Sequence, residues 1–128
     1  MLFDSTIKLV VAKDHMTHRL FVYGTLMPGE INASFLDPLM GSWRRGRVRG
    51  ALSPQGWGAA QGFPALVPGD GSTQVPGFVL EAERLSDFWG QLDTFEGEEY
   101  ERRLTMVELD DGRLVSAYAY FGRVNGEL

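Results

Sequence analysis

The chain has 128 residues, 44% apolar and 23% charged, enough for one globular domain with its own core and unlike the composition of a disordered segment. Seventeen acidic residues outweigh twelve basic ones, for a net charge of -5, which argues against a general polyanion binder. There is no cysteine, and the two histidines, His15 and His18, sit together near the start, so thiolate chemistry, disulfides, cysteine-ligated zinc and a Ser-His-Asp triad in the body of the domain are excluded.

Taken in chain order, residues 1–18 stand apart. Residues 7–11 (Ile-Lys-Leu-Val-Val) read as a short strand, and Met16 reads equally well as a start preceded by vector-derived residues. The expected division is an N-terminal extension over 1–18 and one domain over 19–128. Residues 1–15 lack the apolar stretch and cleavage site of a signal peptide, and no apolar run reaches the ~20 residues of a membrane span. A cytoplasmic location is therefore expected.

The domain opens with a run of β-formers, residues 20–23 (Leu-Phe-Val-Tyr), broken by Gly24 and by Pro28-Gly29. Residues 31–37 read as a short helix ended near Pro38, with Ile31, Phe35 and Leu36 on one face. Over residues 43–52, Arg45, Arg47 and Arg49 alternate with Gly46, Val48 and Gly50, which is strand spacing with the arginines on one side. Residues 53–74 read as loops around a short strand at 65–67, and residues 75–82 form the next strand. Ser86 is an expected N-cap for a helix over 87–95, with Phe88, Leu92 and Phe95 at helical spacing, Trp89 beside them and Gly97 as the stop. Two strands follow, over 100–109 and 113–121, joined by the tight-turn sequence Asp110-Asp111-Gly112. About six short strands and two short helices imply an α+β fold: a small, partly closed mixed β-barrel with helices packed outside.

The chemistry left to such a chain comes from carboxylates, hydroxyls, arginines and backbone amides. Gly24, directly after a strand, lets the backbone come close to a ligand, and free amides there suit a carboxylate or oxyanion; a plain strand-to-loop transition is the competing reading. The spacing from Gly24 to Gly29 has no Lys and is not a phosphate loop. Glu96 ends an apolar helix, where the helix end, partial burial and nearby acids all favour its neutral form, as a general base near neutrality requires. Glu98, Glu99 and Glu101 read as solvated. Residues 100–103 (Tyr-Glu-Arg-Arg), leading into a strand, form a third candidate together with Tyr118 and Tyr120, which share a strand face, either around a polar ligand or as core residues with wet hydroxyls. The arginine strand reads as a solvated barrel face, and nucleic acid is not an expected partner.

These residues together resemble a known family. Residues 21–26 (Phe-Val-Tyr-Gly-Thr-Leu), Gly77, residues 92–97 (Leu-Asp-Thr-Phe-Glu-Gly), residues 100–102 (Tyr-Glu-Arg) and residues 118–120 (Tyr-Ala-Tyr) look like the gamma-glutamylcyclotransferase-like family in order and separation, over about residues 20–121. The chain is most similar to the small subgroup that includes gamma-glutamylamine cyclotransferases, although the extension before Leu20 is longer than usual there. The resemblance implies a barrel with a cavity at one end, Glu96 as general acid and base, Tyr23, Gly24, Thr25 and Leu26 as the substrate-binding loop, and Tyr120 near the cavity. It implies a small-molecule γ-glutamyl substrate cyclised to 5-oxoproline, with no metal or cofactor; the substrate's own amine is the nucleophile. The alternative is the same barrel binding a small carboxylate without turning it over. The leaving amine and the oligomeric state are not encoded in any motif.

Overall fold

Side chains alternate between two apolar layers along each strand, and this sorting builds the molecule. The computed structural model describes residues 18–24, 26–53, 65–69 and 72–122. Seven strands run in the order β1 (Arg19–Val22), β2 (Ser42–Arg49), β3 (Ala51–Ser53), β4 (Ala65–Val67), β5 (Gln74–Glu81), β6 (Tyr100–Leu109) and β7 (Leu114–Gly122). Five of them close on themselves in the order β1-β5-β2-β6-β7, and β7 returns to β1 through a parallel pairing of Leu20 with Tyr118. The other ring pairings are antiparallel. The small mixed barrel expected from the sequence is thus present, with β3 and β4 as an added pair outside the ring.

All five ring strands contribute to the barrel interior: Phe21, Val48, Val75, Val79, Val107, Leu109, Ala117, Ala119 and Phe121, joined by Leu66 of β4. The alternate positions Leu20, Val22, Leu80 and Tyr120 face outward and are covered by Leu36, Leu39, Leu85, Trp89 and Leu92 from the helical segments. This is period-two geometry applied to one sheet with apolar surface on both sides. On β2 the pattern holds as expected: Gly46 and Val48 are buried while Arg45 and Arg49 are exposed. The strand expected over 43–52 is divided at Gly50, whose amide bonds to Thr73 in place of a ladder partner.

The helical segments depart from expectation in three places. The segment after the first loop is a 3₁₀ helix, Ala33–Leu39, with Pro38 inside it. Its bonds are of the i→i+3 kind (Phe35 N–H to Asn32 O, 3.0 Å; Met40 N–H to Asp37 O, 3.1 Å), because proline lacks an N–H and its ring crowds an α turn. Ile31 lies in the turn before it and is 81% exposed, so it does not share the face formed by Phe35 and Leu36. Ser86 is not an N-cap: it belongs to a 3₁₀ turn, Glu83–Asp87, and its hydroxyl donates to the Glu83 carbonyl. The α-helix, α1 (Trp89–Glu96), starts only after that turn and ends at Gly97, whose φ of +92° is a conformation glycine adopts freely. Phe95 is 40% exposed yet stacks on Phe35 at 4.4 Å between ring centroids, joining α1 to the first 3₁₀ segment.

Asp110, Asp111 and Gly112 make the β6–β7 turn as expected, with Leu109 N–H to Arg113 O at 2.8 Å and Gly112 at positive φ. The strand expected at 7–11, and most of the loop expected over 53–74, lie outside the described residues.

Gly77 marks the tightest approach in the barrel. A Cβ there would collide with the Val22 carbonyl and come within 2.7 Å of the Phe21 ring. Gly77→Ala is expected to destabilise the fold by ~1–3 kcal/mol, the usual cost of overpacking a filled core. Gly90→Ala, where a Cβ meets nothing within 4 Å, is expected to leave stability unchanged or higher. Denaturant unfolding of the two variants checks the contrast.

Candidate active site

The candidate site lies at the end of the barrel where β1 and β7 finish and β6 begins. β7 has two neighbours along a single edge there: β1 pairs with its middle through Leu20 and Tyr118, and β4 pairs with its last part through the parallel pairing of Leu66 with Phe121. Tyr23, the residue after β1, fills the fork between them. Its hydroxyl donates to the Tyr120 carbonyl at 2.7 Å and accepts from the Leu66 N–H at 3.0 Å, so the side chain that follows β1 bonds to both β7 and β4. Burial pushes the Tyr23 phenol far above the usual tyrosine range, although the bond from Leu66 opposes it. It remains a neutral donor at any physiological pH.

α1 runs into this end of the barrel. Trp89 and Leu92 hold it against the sheet, and Gly97 turns the chain directly into β6. Glu96, the last helical residue, is half-buried beside Tyr23, Tyr100 and Tyr120; charge on Glu96 raises the pKa of all three phenols. Burial raises the Glu96 carboxyl from 4.5 to about 7. Among the described residues no group donates a hydrogen bond to it, so none of them offsets the loss of water. Nearby acids were an expected contributor and are not one. Asp93 is paired with Arg102, and Glu101 with Arg103.

One turn earlier on α1, Asp93 is in the opposite state. Arg102 donates to it twice, from Nε to Oδ1 at 3.0 Å and from Nη2 to Oδ2 at 3.2 Å, and the Tyr120 hydroxyl donates to Oδ1 at 2.6 Å. These bonds, the Arg102 pair first, hold the Asp93 carboxyl below the usual range. Burial and the Asp93 anion push the Tyr120 phenol upward. Arg102 and Tyr120 meet because they are directly opposed in the β6–β7 ladder.

A cavity of about 570 Å³ opens here, lined by Asp93, Thr94, Gly97, Glu98, Tyr100, Glu101, Arg102 and Tyr120. Glu96 is not part of its lining; Tyr100 and Tyr120, which are, connect the two. The described residues thus bring Tyr23, Glu96 and Tyr120 to one end of the barrel. Gly24 follows Tyr23 at the surface, where a Cβ would meet nothing within 4 Å, and its carbonyl accepts from the Met27 N–H at 3.0 Å. The Leu26 side chain is buried in the helix-side core, so only its backbone is available to a ligand. Thr25 lies outside the described residues. Among those described, no three histidine or carboxylate side chains converge as a metal site would need.

Asp93 was given no role by sequence reasoning, and Tyr100 and Arg102 entered only as part of the candidate segment 100–103, with no role of their own. The signal was present: counting nine positions out from Asp111 in each direction along the hairpin reaches Arg102 and Tyr120.

Comparison with known proteins follows the same residues. The family model "Gamma-glutamyl cyclotransferase, AIG2-like" matches residues 20–127. Among solved structures, the chain is similar to YkqA from Bacillus subtilis, with 31% identity and a TM-score of 0.64 over 83% of this chain; it spans 36% of that longer protein. It is similar to an AIG2-like protein from Mus musculus (23% identity, TM-score 0.66, 85% of this chain and 80% of that one) and to a protein from Arabidopsis thaliana (26% identity, TM-score 0.63, 86% and 78%). A structure named gamma-glutamyl cyclotransferase shares the fold at 16% identity and a TM-score of 0.58, over 83% of this chain and 66% of that one. No curated protein matches the sequence.

The Glu96 environment makes a prediction about stability. Its folded pKa lies above its unfolded one, so between pH 4.5 and about 7 the native state binds more protons than the unfolded state. Stability contributed by this group therefore falls as pH rises through that window and is level above it. Glu96→Gln is expected to flatten this decline and to be the more stable protein at pH 8, by on the order of 3 kcal/mol at most. Denaturant unfolding of both proteins from pH 4.5 to 8 measures the difference.

Proposed function

The chain belongs to the AIG2-like gamma-glutamyl cyclotransferase family, and from that premise we propose that it converts a γ-glutamyl amide into 5-oxoproline and a free amine, with Glu96 as the general acid and base. The observation that carries this reading is the placement of Glu96 at the end of α1, half-buried among Tyr23, Tyr100 and Tyr120 at the end of the barrel, where burial raises its pKa to about 7. Such a group is available as a base and as an acid near neutrality.

The reaction needs no enzyme nucleophile. Glu96 removes a proton from the substrate's α-ammonium. The freed nitrogen attacks the γ-carbonyl carbon, closing a five-membered ring and placing negative charge on the carbonyl oxygen. That oxyanion collapses, the bond from the γ-carbon to the leaving nitrogen breaks, and Glu96 returns its proton to that nitrogen; the second proton that the ring nitrogen carries once its bond has formed passes through the same carboxylate to the released amine, which leaves as an ammonium ion. Water is not consumed. The catalytic load falls on holding the glutamyl chain folded so that amine and carbonyl meet, an orientation effect worth several kcal/mol. Backbone amides over residues 24–26 are the proposed grip on the α-carboxylate or the developing oxyanion. Gly24 fits this role, since the space a Cβ would take is open for a substrate group. Tyr23 supports the loop through its two bonds at the fork, and Tyr120 contributes a wall of the cavity.

Incubation of the protein with a panel of γ-glutamyl amides, followed by mass spectrometry, is expected to show 5-oxoproline; binding without product would leave the carboxylate-binding alternative standing. Glu96→Gln is expected to keep the fold and KM while kcat falls at least ~100-fold, the usual scale for a general acid/base. Full activity in that variant would overturn the assignment. Wild-type turnover is expected to rise with pH through about 7, as Glu96 becomes ionised. Gly24→Ala is expected to raise KM without lowering thermal stability, because the added methyl obstructs only a ligand.

A further inference from the structure

Tyr100 and Arg102, on the outer side of β6, line the cavity; the next two residues of that side, Leu104 and Met106, are 45% and 52% exposed. Across the ladder, Tyr118 stands opposite Leu104, Ser116 opposite Met106 and Leu114 opposite Glu108. Leu114 is 65% exposed. Leu104, Met106 and Leu114 are therefore neighbours on one face, directly or along the diagonal of a strand pair. The helical segments cover the outer positions Leu20, Val22, Leu80 and Tyr120 and leave these three in the open. Single exposed apolar side chains are ordinary, whereas an adjoining set marks a surface that binds something.

The chain itself carries a matching occupant. β1 runs parallel to β7, with Leu20 opposite Tyr118. Followed backwards, β1 passes the first half of β7: the Arg19 guanidinium donates to the Ser116 carbonyl at 3.3 Å, and the His18 carbonyl accepts from the Ala82 N–H at 2.9 Å. Residues 1–17, which lie outside the described residues, thus join the domain on the side of Ser116 and Leu114, at the border of the uncovered face. Among them, Ile7, Leu9 and Val11 alternate with Lys8 and Val10, the pattern that gives an extended chain one wholly apolar side. Residues 12–17 can span roughly 20 Å when extended. Met106 is only one strand spacing, about 5 Å, from Ser116, well within that reach.

We propose that residues 7–11 dock across the outer face of β6 and β7, with Ile7, Leu9 and Val11 seated on Leu104, Met106 and Leu114. The N-terminal segment is then an intramolecular partner of the barrel. Because Leu104 continues the row of Tyr100 and Arg102, the docked segment also borders the cavity. The inference is independent of the cyclotransferase reading.

The chain has no cysteine, so introduced thiol pairs report proximity without background. In the full chain, Leu9→Cys with Met106→Cys is expected to close an intramolecular disulfide under mild oxidation, read by mass spectrometry as an oxidised monomer. Leu9→Cys with Glu83→Cys is the control. Glu83 is exposed and follows Ala82, which is bonded to His18, so a segment that only trails from His18 reaches it as readily. The Met106 pair is expected to close at least ~10-fold faster than the control, through its higher effective concentration. Equal rates overturn the proposal. So does a disulfide-linked dimer from the Met106 pair, which would put a second copy of the chain on this face. Peroxide oxidation gives a reading without thiols. Leu9→Asp is expected to speed oxidation of Met106 several-fold relative to Met40, which is 89% exposed and serves as the internal reference. An unchanged ratio of the two methionines overturns the proposal as well.

Discussion

A single strand edge that must serve two partners determines how this molecule is arranged. β7 gives the middle of one edge to β1 and the end of it to β4, and the two partners take it in succession. A fork of this kind leaves a main-chain carbonyl and a main-chain N–H facing each other across a gap. Burying such groups unpaired is costly. The Tyr23 hydroxyl fills the gap and bonds to both. The end of the barrel is thereby sealed with a phenol, and the apolar ring that comes with it helps to exclude water from the Glu96 carboxyl. The site's chemistry follows from a problem of sheet closure.

α1 is held by what it touches more than by its own sequence. It is only eight residues long and has no side-chain cap at its start. A helix that short is not stable by itself in water. Trp89 and Leu92 bury against the sheet, Phe95 stacks on Phe35, and Asp93 ties the last turn to β6 and β7. These contacts converge on the turn before Gly97, so the end of the helix bearing Glu96 is its most constrained part. Half-burial of an acid is tolerated there because the surrounding packing and ion pair fix the turn independently of the acid's charge.

Much of this was legible in the letters. Alternation of Arg45, Arg47 and Arg49 with Gly46, Val48 and Gly50 read correctly as a strand with an outer basic side, and Asp110-Asp111-Gly112 read correctly as a hairpin turn. The position of Glu96 before Gly97 was readable because a helix end, an apolar residue and a glycine stop coincide there. What escaped depended on contacts between distant segments. The 3₁₀ geometry over Ala33–Leu39 follows from Pro38 lying inside the segment, where the sequence suggested it as an end. Ser86 has the chemistry of a cap, and a competing turn took its hydroxyl. Tyr23 reads as an ordinary core aromatic until β4 is placed beside β7, a pairing between segments more than forty positions apart. The Arg102–Asp93 pair joins a helix to a strand, and no periodicity within either element reports it.

The β3–β4 pair lies outside the closed ring, attached to it through β4 and the final part of β7. Ring closure therefore places no demand on the length of chain that joins β3 to β4. Loop-closure entropy rises only slowly with length, so that connection can grow, shrink or change composition with little effect on the barrel. The fold thus separates the strands that ring closure constrains from a pair that it does not. Changes of length can be absorbed between β3 and β4 while the hydrogen bonds and apolar layers of the ring stay as they are.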